Sequence, residues 1–290
     1  MTAASIITLR ETLEASLIVG IILAYLNHTK NSQHSIFVWM GVLAGIALSV
    51  VLAIIFQIMF GDFTGRTEEL YEGITMLTAA ALITWMILWM LTQRRSIRKN
   101  IENDVEHHLT NDHPWGLFTL ALVATAREGI ETVIFLKASI LHAGGTHTFI
   151  GGLLGIVIAV FLSVLLFRGI VHIPLKKFFS ITSVLLILFA AGLVTHGVHE
   201  FEEAGLIPSL ISPLWNMNGF LDEAGTLGSF LKGLFGYNGN PSLMEVMSYG
   251  IYLMGITAIW KVTSATAQSR TPPPSPALPP KEEGSLHFKK

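Results

Sequence analysis

The sequence predicts an all-α, polytopic membrane protein. It is expected to have seven transmembrane helices, two inverted three-helix repeats plus one extra helix, with the N-terminus outside and the C-terminus inside. Three observations predict this. Hydrophobic residues make up 51% of the chain and charged ones 13%, whereas about a quarter of an ordinary soluble domain is charged. Seven stretches reach the roughly 20 mostly apolar residues that crossing the hydrocarbon requires. Finally, Arg10-Glu11-Thr12-Leu13-Glu14 returns 117 positions later as Arg127-Glu128-Gly129-Ile130-Glu131.

The seven stretches run from Ala3 to Leu26, Ile36 to Phe60, Leu70 to Leu91, Trp115 to Leu141, Phe149 to Val171, Phe178 to Val198 and Leu243 to Val262. Every backbone amide in lipid must be paired within its own segment, so these are helices. The first lacks a basic n-region and its apolar run is too long for a cleaved signal peptide, so it is expected to remain as a span. The last is the least apolar, with Glu245 near one end and Lys261 at the other.

Orientation follows from the basic residues. With the N-terminus outside, the inner loops and tail hold Lys30, Arg94, Arg95, Arg98, Lys99, Arg168, Lys176, Lys177, Lys261, Arg270, Lys281, Lys289 and Lys290, against Arg66 and Lys232 outside. That is a clear positive-inside bias. Acids show the opposite trend: Asp62, Glu68, Glu69, Glu200, Glu202, Glu203, Asp222, Glu223 and Glu245 fall outside, with Glu72 at the mouth of the third span. An acidic outer surface concentrates cations.

Internal similarity divides the chain. Gly41-Val42-Leu43-Ala44-Gly45 in the second span matches Gly151-Gly152-Leu153-Leu154-Gly155 in the fifth, and Ala79 to Thr84 in the third matches Ala190 to Thr195 in the sixth. Offsets of 117, 110 and 111 keep the three matches in one order. The expected organisation is a transmembrane domain over 1–263, with repeat 1 at about 1–92, repeat 2 at about 115–200, an outer segment at 204–242 and the seventh helix at 243–262. Residues 264–290, with Thr271-Pro272-Pro273-Pro274-Ser275-Pro276, are expected to form a disordered Pro-rich cytoplasmic tail. The loop from Arg94 to His113, with His107, His108 and His113, reads as a solvated charged cytoplasmic loop.

Three spans per repeat turn the second copy upside down, and such repeats place a shared site near the bilayer midplane. Glu at i and i+3 and Arg at i with Glu at i+4 share one helical face. Glu11, Glu14, Glu128 and Glu131 are thus expected to meet, with Arg10 and Arg127 alongside. Ionised acids in hydrocarbon cost about 2.5 to 3.5 kcal/mol each even on the lenient insertion scale, and intramembrane acids mark ion pathways. Four carboxylates against two guanidiniums leave a surplus negative charge that a bound cation or protons must offset. The chain has no Cys, which leaves oxygen and imidazole as ligands and favours hard ions. His142, His147, His196 and His199 fall at or near the outer side.

The residues exclude other classes in part. No Walker-type phosphate loop occurs, and the Glu-x-x-His pairs of di-iron carboxylate enzymes are missing. A proton-coupled exporter using the same carboxylates, or a carrier of another metal cation, stays open.

The two Arg-Glu-x-x-Glu helices, Glu72-Gly73 opening the third span, Gly197-Val198-His199-Glu200-Phe201-Glu202-Glu203-Ala204-Gly205, and Gly233-Leu234-Phe235-Gly236-Tyr237-Asn238-Gly239-Asn240-Pro241 together resemble the iron permease family. That family includes the fungal high-affinity iron permease and bacterial EfeU-type permeases. The resemblance implies a multi-pass protein of the cell membrane that is not an enzyme and imports ferric iron as substrate, with no resident cofactor and no nucleic acid partner. Glu11, Glu14, Glu128 and Glu131 are then the expected metal ligands, and Arg10 and Arg127 support them. Glu72, His199, Glu200, Glu202 and Glu203 form an expected outer vestibule. An extracytoplasmic iron-oxidising or iron-delivering protein is the expected partner.

Overall fold

The computed structural model describes residues 2–60, 64–93, 101, 104–106, 114–143, 145–170, 174–223 and 225–269. Every regular element among them is helical. They are α1 (Thr2–His28), α2 (Ser35–Phe60), α3 (Arg66–Gln93), α4 (Pro114–Ala143), α5 (Gly145–Phe167), α6 (Leu175–Glu203), the short α7 (Thr226–Phe235) and α8 (Leu243–Ser269), with a single 3-10 turn at Ser32–His34 before α2. The seven apolar stretches therefore correspond to α1 to α6 and α8. Asp62, the inner-loop residues Arg94 to Lys99, His107, His108, His113 and the chain from Arg270 onward lie outside the described residues.

Helix ends have local causes. α5 stops at Phe167, short of Val171, because Gly169 adopts φ 70°. The amides of Gly169 and Ile170 then close back onto the Leu166 and Leu165 carbonyls, the left-handed cap that Gly adopts without steric cost. α8 begins with a reciprocal capping box: the Glu245 amide donates to Ser242 Oγ at 3.1 Å and the Ser242 amide donates to Glu245 Oε1 at 3.2 Å. Two otherwise orphaned donors are satisfied there. Ser242→Ala is expected to destabilise the fold by about 1 kcal/mol, read as a lowered melting temperature in detergent.

Among the described residues, five helices are long and apolar enough to cross a membrane, within Ser32–Ile58, Arg66–Met90, Thr148–Phe167, Lys177–Glu203 and Leu243–Val262. α1 and α4, of 27 and 30 residues, are as long but carry the charged pentads. α2 and α5 turn large side chains outward, among them Leu43, Ile54, Ile58, Phe149, Val157 and Phe161. With no water in hydrocarbon to penalise them, such faces suit lipid. The protein is a multi-pass protein of the cell membrane.

Packing is not sequential. The most extensive pairings are α2 with α4, α1 with α5, and α3 with α6; α8 leans on α6, and α1 touches α4. The two cross-pairings use glycines in the same register. A Cβ on Gly45 would lie 2.8 Å from Thr125 Cβ and 3.0 Å from the Ala126 amide, while one on Gly155 would crowd Thr8 Oγ1 and lie 3.0 Å from the Leu9 amide. Thr8 and Leu9 stand 117 positions before Thr125 and Ala126. Ser5 Oγ and Thr8 Oγ1 add hydrogen bonds of 2.8 Å to the Gly151 and Gly152 carbonyls, so small residues let the backbones of α1 and α5 nearly touch. Gly45→Val and Gly155→Val are each expected to cost about 1 to 3 kcal/mol through overpacking, measured by thermal unfolding of the purified protein.

The main core joins α1, α3, α4 and α6 through Ile7, Met76, Ile83, Phe135, Leu186 and Phe189, closed by Leu234 of α7 and Ile256 of α8. A second core at the far end of α1 gathers Val19, Ile22, Leu26, Val38 and Leu117 with Ile101 and Val105. The core helices thus converge on the helices that carry the charged pentads.

Candidate functional site

Glu11 and Glu128 are 1% and 5% exposed, and Glu131 is partly buried. The packing of α1 on α4 brings one carboxyl oxygen from each of Glu11, Glu128 and Glu131 within 4.8 Å of the others. Oxygens on metal bonds of about 2.0 to 2.4 Å are at most about that far apart, so the spacing meets the first requirement for three ligands of one ion. Both oxygens of Glu11, and Oε2 of Glu128 and of Glu131, are buried with no donor to accept from among the described residues, while the Glu11 and Glu128 carboxyls lie within hydrogen-bonding reach of each other. Buried acceptors are otherwise almost always satisfied.

Glu14 stands apart from this triangle. Its Oε1 accepts from Arg10 Nε at 2.9 Å, although it remains in electrostatic reach of Glu11, Glu128 and Glu131. Arg127 Nε pairs in the same i,i+4 manner with Glu131 Oε1 at 3.0 Å and lies 3.9 Å from Glu128 Oε1. The two arginines differ in surroundings: the Arg10 side chain is 0% exposed and that of Arg127 is 44% exposed. Arg10 Nη2 reaches Met90 Sδ at 3.2 Å, while the Arg127 guanidinium stacks 4.5 Å over the neighbouring Trp89 ring. The end of α3 therefore holds both.

The proposed vestibule residues fall into two groups. Glu72 on α3 and Glu200 on α6 face each other electrostatically, with Glu68 and Glu69 near and Lys137 as counter-charge. Lys137 Nζ donates to Gln57 Oε1 at 3.2 Å. His199, Glu202 and Glu203 turn instead toward the start of α8. His199 Nδ1 lies 3.0 Å from Glu245 Oε1, and its Nε2 lies 3.4 Å from Glu203 Oε1. Ser242 Oγ donates to Glu202 Oε2 at 2.6 Å, and Asn238 Nδ2 donates to Glu245 Oε2 at 2.7 Å. Glu245, 1% exposed, is the residue that sequence reasoning left among the outer acids. Its signal was the Ser242-x-x-Glu245 spacing. His196 Nδ1 lies 3.3 Å from the Gly192 carbonyl oxygen of its own helix, and the side chains of His142 and His147 lie outside what the structure describes.

The outer segment folds back on itself. The Leu214, Met217 and Leu243 amides donate to the Pro241, Gly239 and Ile211 carbonyls, and the Gly236 backbone lies so close to Gly192 of α6 that a Cβ on Gly192 would fall 2.6 Å from Gly236 Cα. Between α6, α7 and α8 it leaves a cavity of about 410 Å³, lined in part by Thr195, Phe235, Tyr237, Asn238, Glu245 and Tyr249.

Known proteins of similar sequence are permeases by name. A protein named ferrous iron permease EfeU from Escherichia coli O6:K15:H31 (strain 536 / UPEC) is 36% identical over 251 residues, covering 86% of this chain and 91% of its own length. One of the same name from Yersinia pestis is 35% identical over 251 residues, covering 86% and 89%. No solved structure matches the chain. The model of the iron permease FTR1 family matches residues 1–268. With that match over nearly the whole of its length, the chain belongs to the iron permease FTR1 family.

Proposed function

We propose that this protein imports iron across the cell membrane, and that the ion passes through the triangle of Glu11, Glu128 and Glu131 with Glu14 completing the set. The observation that carries the reading is the group of buried carboxyl oxygens without a hydrogen-bond donor among the described residues. Such atoms are costly in low dielectric unless a cation or proton meets them. Three carboxylates form an all-oxygen set, which by ligand hardness favours Fe(III).

α1 and α4 span the membrane in this reading. At 1.5 Å per residue they are about 40 to 45 Å long, more than the roughly 30 Å of hydrocarbon. With α2, α3, α5, α6 and α8 they give seven spans, the N-terminus outside and the C-terminus inside. The two three-helix units are inverted repeats. Support comes from the equivalent pairings α2 with α4 and α5 with α1, and from Gly45 and Gly155 meeting residues at the same offset.

Transport then proceeds by alternating access around this fixed site. The unequal burial of equivalent arginines supports it: one half of the site is closed around Arg10 while the other leaves Arg127 open. Inward movement of a trivalent ion gains about 7 kcal/mol per 100 mV of membrane potential, which drives uptake without a nucleotide motor. Glu72 and Glu200 line the outer approach. Delivery by an extracytoplasmic iron-oxidising or iron-delivering protein belongs to the same proposal.

A second reading takes Fe(II) as the imported ion, as the relatives named ferrous iron permease suggest. Proteoliposomes carrying the full chain decide between them. Under an inside-negative potential, radiolabelled iron is expected to enter when supplied as Fe(III) citrate and to slow when ascorbate keeps it ferrous. Uptake only in the presence of ascorbate would establish the ferrous reading, and potential-driven proton flux without iron would overturn both.

A further inference from the structure

We propose that His199, Glu202 and Glu245 form a second metal site, separate from the Glu11, Glu128 and Glu131 triangle, that takes one divalent transition-metal ion of the Fe(II) and Mn(II) class. One ligand atom from each residue lies within 4.8 Å of the others. His199 and Glu202 share a face of α6 at i and i+3, and Glu245 enters from the first turn of α8.

The spacing that makes an ion pair in the metal-free protein also fits a coordination sphere. His199 Nδ1 and Glu245 Oε1 are 3.0 Å apart, which is the edge of a polyhedron with bonds of about 2.1 Å and ligand angles near 90°. The third ligand is incomplete without an ion: Glu202 Oε1 is buried and has no hydrogen-bond partner among the described residues.

Each ligand is held from behind, as metal ligands are. The Nε2 of His199 faces Glu203, the second oxygen of Glu202 accepts from Ser242 Oγ, and the second oxygen of Glu245 accepts from Asn238. Two carboxylates and a neutral imidazole balance a 2+ charge, and imidazole moves the preference from hard trivalent ions toward borderline divalent ones. The cavity of about 410 Å³ that reaches Glu245 gives a hydrated ion room to approach.

The site's place on a route to the central triangle rests on the iron-import reading; metal binding itself does not. The full-length protein in detergent is titrated with Mn(II), followed by electron paramagnetic resonance, alongside melting curves of the metal-free forms. Wild type is expected to bind two equivalents. Glu202→Gln or His199→Gln is expected to weaken one of them at least about 10-fold, and Glu128→Gln the other.

Two equivalents of unchanged affinity in both Glu202→Gln and His199→Gln would overturn the proposal, and so would a fall in metal-free melting temperature with binding retained, which marks a packing lock. If Glu128→Gln leaves binding and uptake intact while Glu202→Gln removes an equivalent, the central site falls and this one stands.

Discussion

Glu128→Gln is expected to abolish iron uptake, by at least about 100-fold, while leaving the protein folded. Loss of a group that merely supports a metal ligand costs about 10- to 100-fold, and Glu128 is placed as a ligand. Stability should hold for a separate reason. Glu128 Oε2 has no hydrogen-bond donor among the described residues, and Oε1 lies 3.9 Å from Arg127 Nε. The amide removes a buried negative charge from a group of four carboxylates and two guanidiniums, so the metal-free melting temperature should stay level or rise, the usual exchange of stability against function. Radiolabelled iron uptake by proteoliposomes and a melting curve together check this. Uptake near the wild-type rate in a folded Glu128→Gln protein would contradict it.

Arg10→Gln has the opposite signature, a collapse of stability. Arg10 is fully buried and its Nε is 2.9 Å from Glu14 Oε1. Removing one partner of a buried pair costs about 3 to 5 kcal/mol because the other charge is left uncompensated, a large part of the 5 to 15 kcal/mol that holds a domain together. Arg127→Gln, at the equivalent position, should cost only about 1 kcal/mol, since its guanidinium is 44% exposed and contributes mainly an exposed pair and a stack on Trp89. The contrast is measured by thermal unfolding of the two purified variants. The double variant Arg10→Gln/Glu14→Gln should recover most of the loss.

That contrast also marks where sequence reading stops. The pentads are alike, and helical spacing aligns their Arg and Glu in the same way, so nothing within them separates Arg10 from Arg127 or singles out Glu14. The difference comes from Trp89 and Met90 at the end of α3, far away in the chain, which meet the two arginines differently. By contrast, the helix positions were legible, because runs of Leu, Ile and Val long enough to cross lipid have little alternative to a helix. Glycines of the second and fifth stretches were legible as a repeat, but that each lies against the backbone of the other unit required the fold.

Glu245 shows the same limit in the outer region. It closes a capping box with Ser242 that is readable at three residues' spacing. Its approach to His199 depends on how α8 packs on α6, and its bond from Asn238 on how the outer segment folds back. The expected tail at 264–290 is met by a helix that continues to Ser269, since Ala265 to Ser269 contain no Gly or Pro to stop it.

The central claim is that one iron ion sits among Glu11, Glu128 and Glu131, and the most direct test is the position of the anomalous iron signal in crystals of the iron-loaded protein. The account predicts a peak inside that triangle, within about 2.4 Å of a carboxyl oxygen of each residue. Iron density elsewhere in the protein, with the triangle empty at saturating iron, would contradict it.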